Sequence, residues 1–513
     1  MLFARGFALF SGSIDAPLAL KEELSEWSVK RVGAYVLTHH PDATVYLSEG
    51  SCGSVVLLGN AVDPFGLQTE TGIVENLTNL LASCDGKERL SDSFLDYADK
   101  ITGRFQVLVI REGGTFAFCD AIGMVPLYVH EVNGEVSYSS HSQLLSELMG
   151  CDKDPLIERI VESPFYLVGR RHLPGYKSPY KNIEMVGANV YYSSALGRRV
   201  RIFPRERHVE ELRVNQEKNL SEKVGFVSST LKASAELYVK SREVRVSLSL
   251  GQDSRMNLAA LHDYRDNFSA YSYCGDSAES VEAEKAHELA LSLGVRHEII
   301  RTEGISEDAR EKMRQLLDRN SAFIRKHKDS EVDKLVALSN WFPKNAIELK
   351  GEASEVGRAT YSKRTGIKNF PPLTSRGMTN LYKRILFPRS LIREVDACFD
   401  EFLEDSDMKG GGASLGYDDY DIFFWEHRNA CCASLGMQDH DIYHDTSALM
   451  NNREILNCFL SIDFEGRFED ALHQAACKNM WPGILSVPTS SRSSLKSKGK
   501  VFAEAVFFKI NRF

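Results

Sequence analysis

The sequence predicts two folds in series: antiparallel β-structure with few helices, then a parallel α/β unit that ends in a helical lobe. Three observations predict them. Short β-type runs separated by turn residues fill roughly the first 200 residues. Strand-like and helix-like segments alternate from about residue 205, as parallel strands with helical crossovers require. From about residue 376 the pattern is mostly helical, broken at Gly410, Gly411 and Gly412.

The elements follow in order. Apolar β-type runs lie at 55–58, 105–110, 115–119 and 136–139, with Gly113-Gly114 between two of them. Asn133-Gly134 predicts a tight hairpin turn, because both residues tolerate positive φ. Helical spacing predicts a helix over 220–239. A strand is expected over 243–250, a loop at Gly251-Gln252-Asp253, and a helix from Ser254. A second strand at 268–273, a helix over 280–294 closed by Gly294, and a third strand at 296–300 complete the alternation. No internal repeat is present, and 486–500, rich in Ser and Lys, reads as a mobile loop.

Composition removes several function classes. The chain has 513 residues, enough for about two to four domains. Acidic residues outnumber basic ones, 71 to 62, giving a net charge of −9, which argues against a dedicated nucleic-acid binder. No apolar run approaches the ~18 residues of a membrane span. Residues 1–10 are too short for a signal peptide's apolar region with its cleavage site. The ten cysteines are scattered without a C-x-x-C pair, so neither a disulfide framework nor a zinc pattern is expected among them. Buried free thiols in a cytoplasmic protein are the expectation.

The chemistry concentrates at Leu248-Ser249-Leu250-Gly251-Gln252-Asp253-Ser254, between a strand and a helix. Unpaired backbone N–H groups at such a turn make an anion site. Gly251 permits close approach, and the hydroxyls of Ser249 and Ser254 add donors. Asp253, a carboxylate beside a phosphate site, makes sense with Mg²⁺ between them; an aspartate there also suits a helix N-cap.

These residues resemble the pyrophosphate-binding loop, S-G-G-x-D-S, of ATP pyrophosphatases of the asparagine synthetase type, with Leu250 in place of the first Gly. Further segments are similar to the same family in the same order. Ser272-Tyr273-Cys274-Gly275 resembles its second strand, whose backbone reads adenine. Glu348-Leu349-Lys350-Gly351-Glu352-Ala353-Ser354-Glu355 resembles its L-x-G-x-G-x-D-E segment, with Ala353 for a Gly and Glu355 for the second metal-binding Asp. Gly103-Arg104-Phe105 and Cys119-Asp120-Ala121 through Tyr128 resemble class II glutamine amidotransferase domains.

The resemblance implies a glutaminase-like antiparallel β-sandwich with flanking helices over 1–204. It implies an ATP pyrophosphatase domain over 205–513, with a helical substrate lobe from about 375. The family's glutaminase nucleophile is a Cys at the mature N-terminus; here the first cysteine is Cys52, so glutamine hydrolysis is not expected. The pattern is then closest in logic to β-lactam synthetases and lasso-peptide cyclases. The implied reaction adenylates a carboxylate with ATP and Mg²⁺ and passes the acyl group to an amine. Alternatives are an amidating enzyme using free or partner-supplied ammonia, and an inactive nucleotide-binding or interaction protein. Asp253 and Glu355 would hold Mg²⁺. Leu248, Ser249, Gly251, Gln252, Asp253, Ser254, Cys274, Lys350 and Gly351 would bind the nucleotide and its pyrophosphate, with Glu352 as a catalytic acidic residue. Glu355 equally suits a solvated helix start.

Asp439, His440 and His444 are candidates to deprotonate the amine, and Arg428 to hold a substrate carboxylate. The same residues also suit a polar helix junction. The relatives' C-terminal Lys has no counterpart before Lys496, which leaves Arg492 or Lys496 to replace it. Trp425 and Trp481 are expected in the core. Expected partners are a small-molecule or peptide substrate, with no nucleic acid and no membrane. The resemblance allows a homodimer or a partner protein of the same pathway.

Overall fold

The computed structural model describes residues 2–12, 17–84, 86, 88–164, 166, 172–275, 277–382, 388–408, 412–487 and 506. Its strands are β1 (Phe7–Ser11), β2 (Ser28–Val32), β3 (Tyr35–His39), β4 (Val45–Gly50), β5 (Gly53–Asp63), β6 (Gln68–Thr69), β7 (Thr102–Arg111), β8 (Gly114–Cys119), β9 (Tyr128–Val132), β10 (Glu135–Ser139), β11 (Ile183–Met185), β12 (Val190–Ser193) and β13 (Arg198–Arg201). The later strands are β14 (Glu243–Ser247), β15 (Phe268–Cys274), β16 (His297–Arg301), β17 (Ala346–Leu349) and β18 (Asp445–Ser447).

Among the described residues these strands form three sheets. Two are antiparallel, in the orders β11-β9-β10-β1-β3-β2 and β13-β12-β8-β7-β5-β4, with β6 on β5. The two-residue period of the strands divides their side chains between cores. Phe7 and Leu9 meet Val56, Leu58, Leu108 and Ile110 between the sheets. Val55, Leu57, Val107 and Val109 face outward onto the helices Glu70–Leu80 and Asp92–Ala98 through Ile73, Leu77 and Phe94. Ala8 and Phe10 face the opposite way, onto Leu20, Leu144 and Leu148. The result is a helix–sheet–sheet–helix sandwich. The expected hairpin is present: β9 and β10 pair across Asn133 (φ 55°) and Gly134 (φ 81°).

The third sheet is parallel, in the order β16-β15-β14-β17-β18. Ala270, Ile347 and Leu349 face a core shared with the helices Gln252–Ala260, Ser277–Ser292 and Ala471–Met480. Tyr271 and Ala346 face the other way, onto Leu338 and Phe342. Beyond residue 375 the described residues form helices, short 3₁₀ turns, a π-helical stretch, Phe424–Ala433, and the strand β18. The predicted helix over 220–239 spans Leu220–Ser241, and Gly294 takes φ 70° after the helix Ser277–Ser292. The expected strand over 243–250 stops at Ser247: Leu248 makes the last ladder bond to β15, donating its N–H to the Tyr271 carbonyl, and the chain then turns. Leu248 and Leu250 stay apolar because they are buried as loop residues.

One apolar core runs through both parts, from Tyr128 and Tyr166 through Val244 and Val246 to Trp425 and Leu472. Polar contacts also bind the parts. Arg104 pairs with Asp441 through two nitrogens, one at 2.8 Å. Asn451 accepts from the Ile122 N–H at 2.9 Å and donates to Asp120 at 2.8 Å. Arg5 reaches Asp445 at 2.7 Å. Asp99, fully buried, receives Arg205 at 2.6 Å and His208 at 3.0 Å. Burial pushes its carboxyl up, but His208, Arg453 and Arg205 prevail and hold it at about 2. Trp425 is fully buried and donates to the Ala121 carbonyl at 2.7 Å; Trp481 is buried as well. None of the ten cysteines is in a disulfide, and eight of them are buried. No helix among the described residues is long and apolar enough to cross a membrane. Residues 488–500, including Arg492 and Lys496, and Gly410-Gly411 lie outside the described residues.

Candidate functional site

In a parallel sheet the loops at the carboxyl ends diverge where the strand order reverses, and ligands bind in that crevice. Here the reversal falls between β14 and β17, which pair in parallel from Glu243↔Ala346 to Val246↔Leu349. The loop after β14 carries Ser249, Gly251 and Asp253, and the loop after β17 carries Lys350, Gly351, Glu352 and Glu355. The two sequence-predicted segments therefore meet at the switch point.

The first loop is wired by its serines. Ser249 Oγ accepts from the Gly251 N–H at 3.1 Å and lies 3.0 Å from Ser254 Oγ. Ser254 Oγ accepts from the Ser249 N–H at 3.2 Å. The Leu250 N–H meets Glu282 Oε1 at 3.2 Å. The helix begins at Gln252, with Gly251 as its N-cap in extended backbone, φ −74°. Asp253 is therefore inside the first turn, which corrects the N-cap alternative. Gly251 has no conformational need to be glycine; the close approach belongs to Gly351. A Cβ there would stand 2.5 Å from Ser254 N and 2.8 Å from Asp253 C, so only glycine lets the second loop lie on the helix start. Ala353, by contrast, sits at φ 81°, ψ −42°, a strained conformation for a residue with a side chain.

Three carboxylates crowd this crevice. Asp253 Oδ2 pairs with Arg358 Nη1 at 2.7 Å, and its Oδ1 accepts from Ser354. Arg358 is held in turn by both oxygens of Asp470, at 2.8 and 3.0 Å. Burial and the charge of Glu355 push the carboxyls of both Asp253 and Glu352 well above the usual carboxylate range, against the pull of Arg358 on one and Lys350 on the other. Arg428, on the π-helical stretch, acts on Glu352 and Glu355 electrostatically, and its Nε is buried without a hydrogen-bond partner. Gln252 Oε1 is likewise buried and unpartnered.

The other predicted residues take different places. Leu248 is buried beneath the loop. Cys274 ends β15 buried, its carbonyl accepting the Thr302 N–H at 3.1 Å. Lys350 Nζ turns back to Glu348 Oε1 at 2.9 Å. Asp439 is held by His327 at 3.0 Å and Arg325 at 3.1 Å, an ion pair of the polar junction. His440 Nδ1 meets the Tyr443 hydroxyl at 2.8 Å and lies 4.0 Å from Glu348 Oε2. Arg255, fully buried behind Asp253, donates to the carbonyls of Ile484 and Val487, bringing the segment that precedes Arg492 beside the helix.

Sequence reasoning missed Arg358, Ser354 and Glu348 as members of these clusters. Glu348 carried a usable signal: a lone acid between Ile347 and Leu349 in a buried strand must have partners.

No family model matches the chain, and no curated protein matches it. Solved structures similar to it include glutamine phosphoribosylpyrophosphate amidotransferase from B. subtilis complexed with ADP and GMP. That match has 12% identity, 76% of this chain and 73% of that chain covered, and a TM-score of 0.23. A structure described as the allosteric regulatory enzyme of purine biosynthesis has 13% identity, 76% and 72% covered, and a TM-score of 0.24.

Proposed function

We propose that the chain is an ATP- and Mg²⁺-dependent ligase that adenylates a carboxylate and transfers the acyl group to an amine. The observation that carries this is the meeting of the Ser249–Ser254 loop with the Gly351–Glu355 loop at the reversal of the parallel sheet. The residues there suit a magnesium–triphosphate. Gly351 lets the two loops close onto each other, and carboxylates pushed upward by burial and by the charge of Glu355 gain from a cation. Asp253 and Glu355 would hold Mg²⁺, which when bound neutralises charge on phosphate oxygens.

Each residue has a task in this scheme. The hydroxyls of Ser249 and Ser254 exchange their mutual hydrogen bond for pyrophosphate oxygens. The Leu250 N–H exchanges Glu282 for the same anion. Leu248, Gln252, Cys274, Lys350 and Gly351 line the nucleotide. The buried, unpartnered Arg428 Nε receives the acid substrate and aims its carboxylate at the α-phosphorus. Rate enhancement comes from placement and fixed charge. Exchange of radiolabelled pyrophosphate into ATP, with Mg²⁺ and a panel of carboxylic acids, tests the proposal. Exchange that depends on one acid and disappears in Asp253→Ala is expected. Undiminished exchange in that variant, or no calorimetric binding of Mg²⁺–ATP to the wild-type chain, overturns it.

A further inference from the structure

On the opposite face of β17 lies a second cluster that the ligase scheme does not use. Strand alternation turns Glu348 away from the neighbouring Ile347 and Leu349, and it is completely buried. Its two oxygens have different surroundings. Oε1 accepts from Lys350 Nζ at 2.9 Å and from the Tyr271 hydroxyl. Oε2 faces two imidazoles, His444 Nε2 at 2.7 Å and His440 Nδ1 at 4.0 Å. One donor atom from each of Glu348, His440 and His444 lies within 4.8 Å of the other two, and among the described residues no other group of three His, Cys, Asp or Glu side chains meets this condition.

The geometry points to a zinc site formed by Glu348 Oε2, His444 and His440, whose Nδ1 here meets the Tyr443 hydroxyl at 2.8 Å. Two imidazole nitrogens and one carboxylate oxygen are a zinc donor set, whereas Mg²⁺ takes oxygen ligands. Tetrahedral zinc places its ligand atoms about 3.4 Å apart, given bonds of about 2.0–2.2 Å. The separations here bracket that value. The outer contacts suit a site as well. A carboxylate bound through one oxygen is normally steadied through the other, as Tyr271 and Lys350 do here. The His444 ring is stacked on Phe342, with centroids 3.8 Å apart and planes 16° from parallel. His440 and His444 are four residues apart across one tight turn, which brings both rings to the same side. The ion would fasten residues 439–445 to the sheet, and that segment carries Asp441 to Arg104 and Asp445 to Arg5. Glu348, His440 and His444 take no part in the ligase proposal, which shares only Lys350 with the outer contacts.

Cobalt substitution tests the assignment on the full chain. Metal-free protein titrated with Co²⁺ should take up one equivalent and develop the visible d–d absorption of tetrahedral Co²⁺. Zinc should displace it and raise the melting temperature. His440→Ala and Glu348→Gln should each lose the absorption. Asp253→Asn should retain it, which separates this ion from the magnesium of the ligase scheme. If both cluster variants fail to fold, X-ray absorption on the zinc-loaded wild type decides, with two imidazoles expected around the metal. Absence of the cobalt bands, their persistence in both variants, or an all-oxygen shell overturns the zinc site.

Discussion

Two groups of acids flank the same short stretch of chain, and they are built on opposite principles. Glu348 is surrounded by donors. Burial pushes its carboxyl up, but Lys350, His444 and His440 outweigh burial and hold it well below the usual range. Asp253, Glu352 and Glu355 are surrounded partly by one another, and the first two are pushed the other way. Burial alone therefore does not decide a carboxyl's state; its neighbours do. The comparison also separates the ligands each group suits, a borderline metal with imidazole on one side of the sheet and a hard cation with phosphate on the other.

The comparison can be broken first at Glu348. Glu348→Ala strands Lys350 in the interior and should cost about 3–5 kcal/mol in denaturant unfolding. Glu352→Gln removes an acid from the crowded group and should gain up to about 1 kcal/mol at neutral pH in metal-free protein. Equal losses in both would show that the two groups do not differ. Next, Asp253→Ala should lower pyrophosphate exchange by at least about a hundredfold, on the scale of losing one fixed transition-state contact, while its circular dichroism stays that of the wild type.

Asp99 offers a control, a buried carboxylate compensated by protein cations alone. Its carboxyl is held at about 2 in the folded chain, below the usual aspartate range. The stability it contributes is complete above pH 4 and is lost as the pH falls toward 2. Asp99→Asn should flatten that part of the acid unfolding curve by about 2 kcal/mol; an unchanged curve would remove His208 and the arginines as the cause. A last pair compares two loop residues. Gly351→Ala should cost about 1–3 kcal/mol through the clash with Ser254. Ala353→Gly should stay within about 1 kcal/mol of wild type, because relieved strain offsets the lost methyl and the added chain entropy. Thermal melts of the two variants check the pair.

Much of this was legible in the sequence. Short apolar β-type runs announced β5, β7 and β8, and the Asn133-Gly134 turn announced its hairpin, because both signals are local. The loop after β14 and the segment after β17 were readable because glycine, serine and acid residues are unusual at strand ends that face a core. Long-range partners were not readable. β18 has three residues, no apolar run, and pairs with β17 from far along the chain. Arg104 stood out within a motif, yet its partner Asp441 lies 337 residues away. Gly351 was assigned to nucleotide binding by resemblance, whereas the need for a glycine there comes from Ser254 packed against it, a contact that sequence does not show. The π-helical stretch left no signature, since its i→i+5 spacing differs too little from helical spacing to show in the apolar pattern.

The core that joins Tyr128 and Tyr166 to the parallel sheet and Trp425 has a practical consequence. A chain severed near residue 204 would give two fragments, each presenting a raw oily surface where the other had been. Neither should remain monomeric when produced alone, while co-expression should let them recombine into a non-covalent whole.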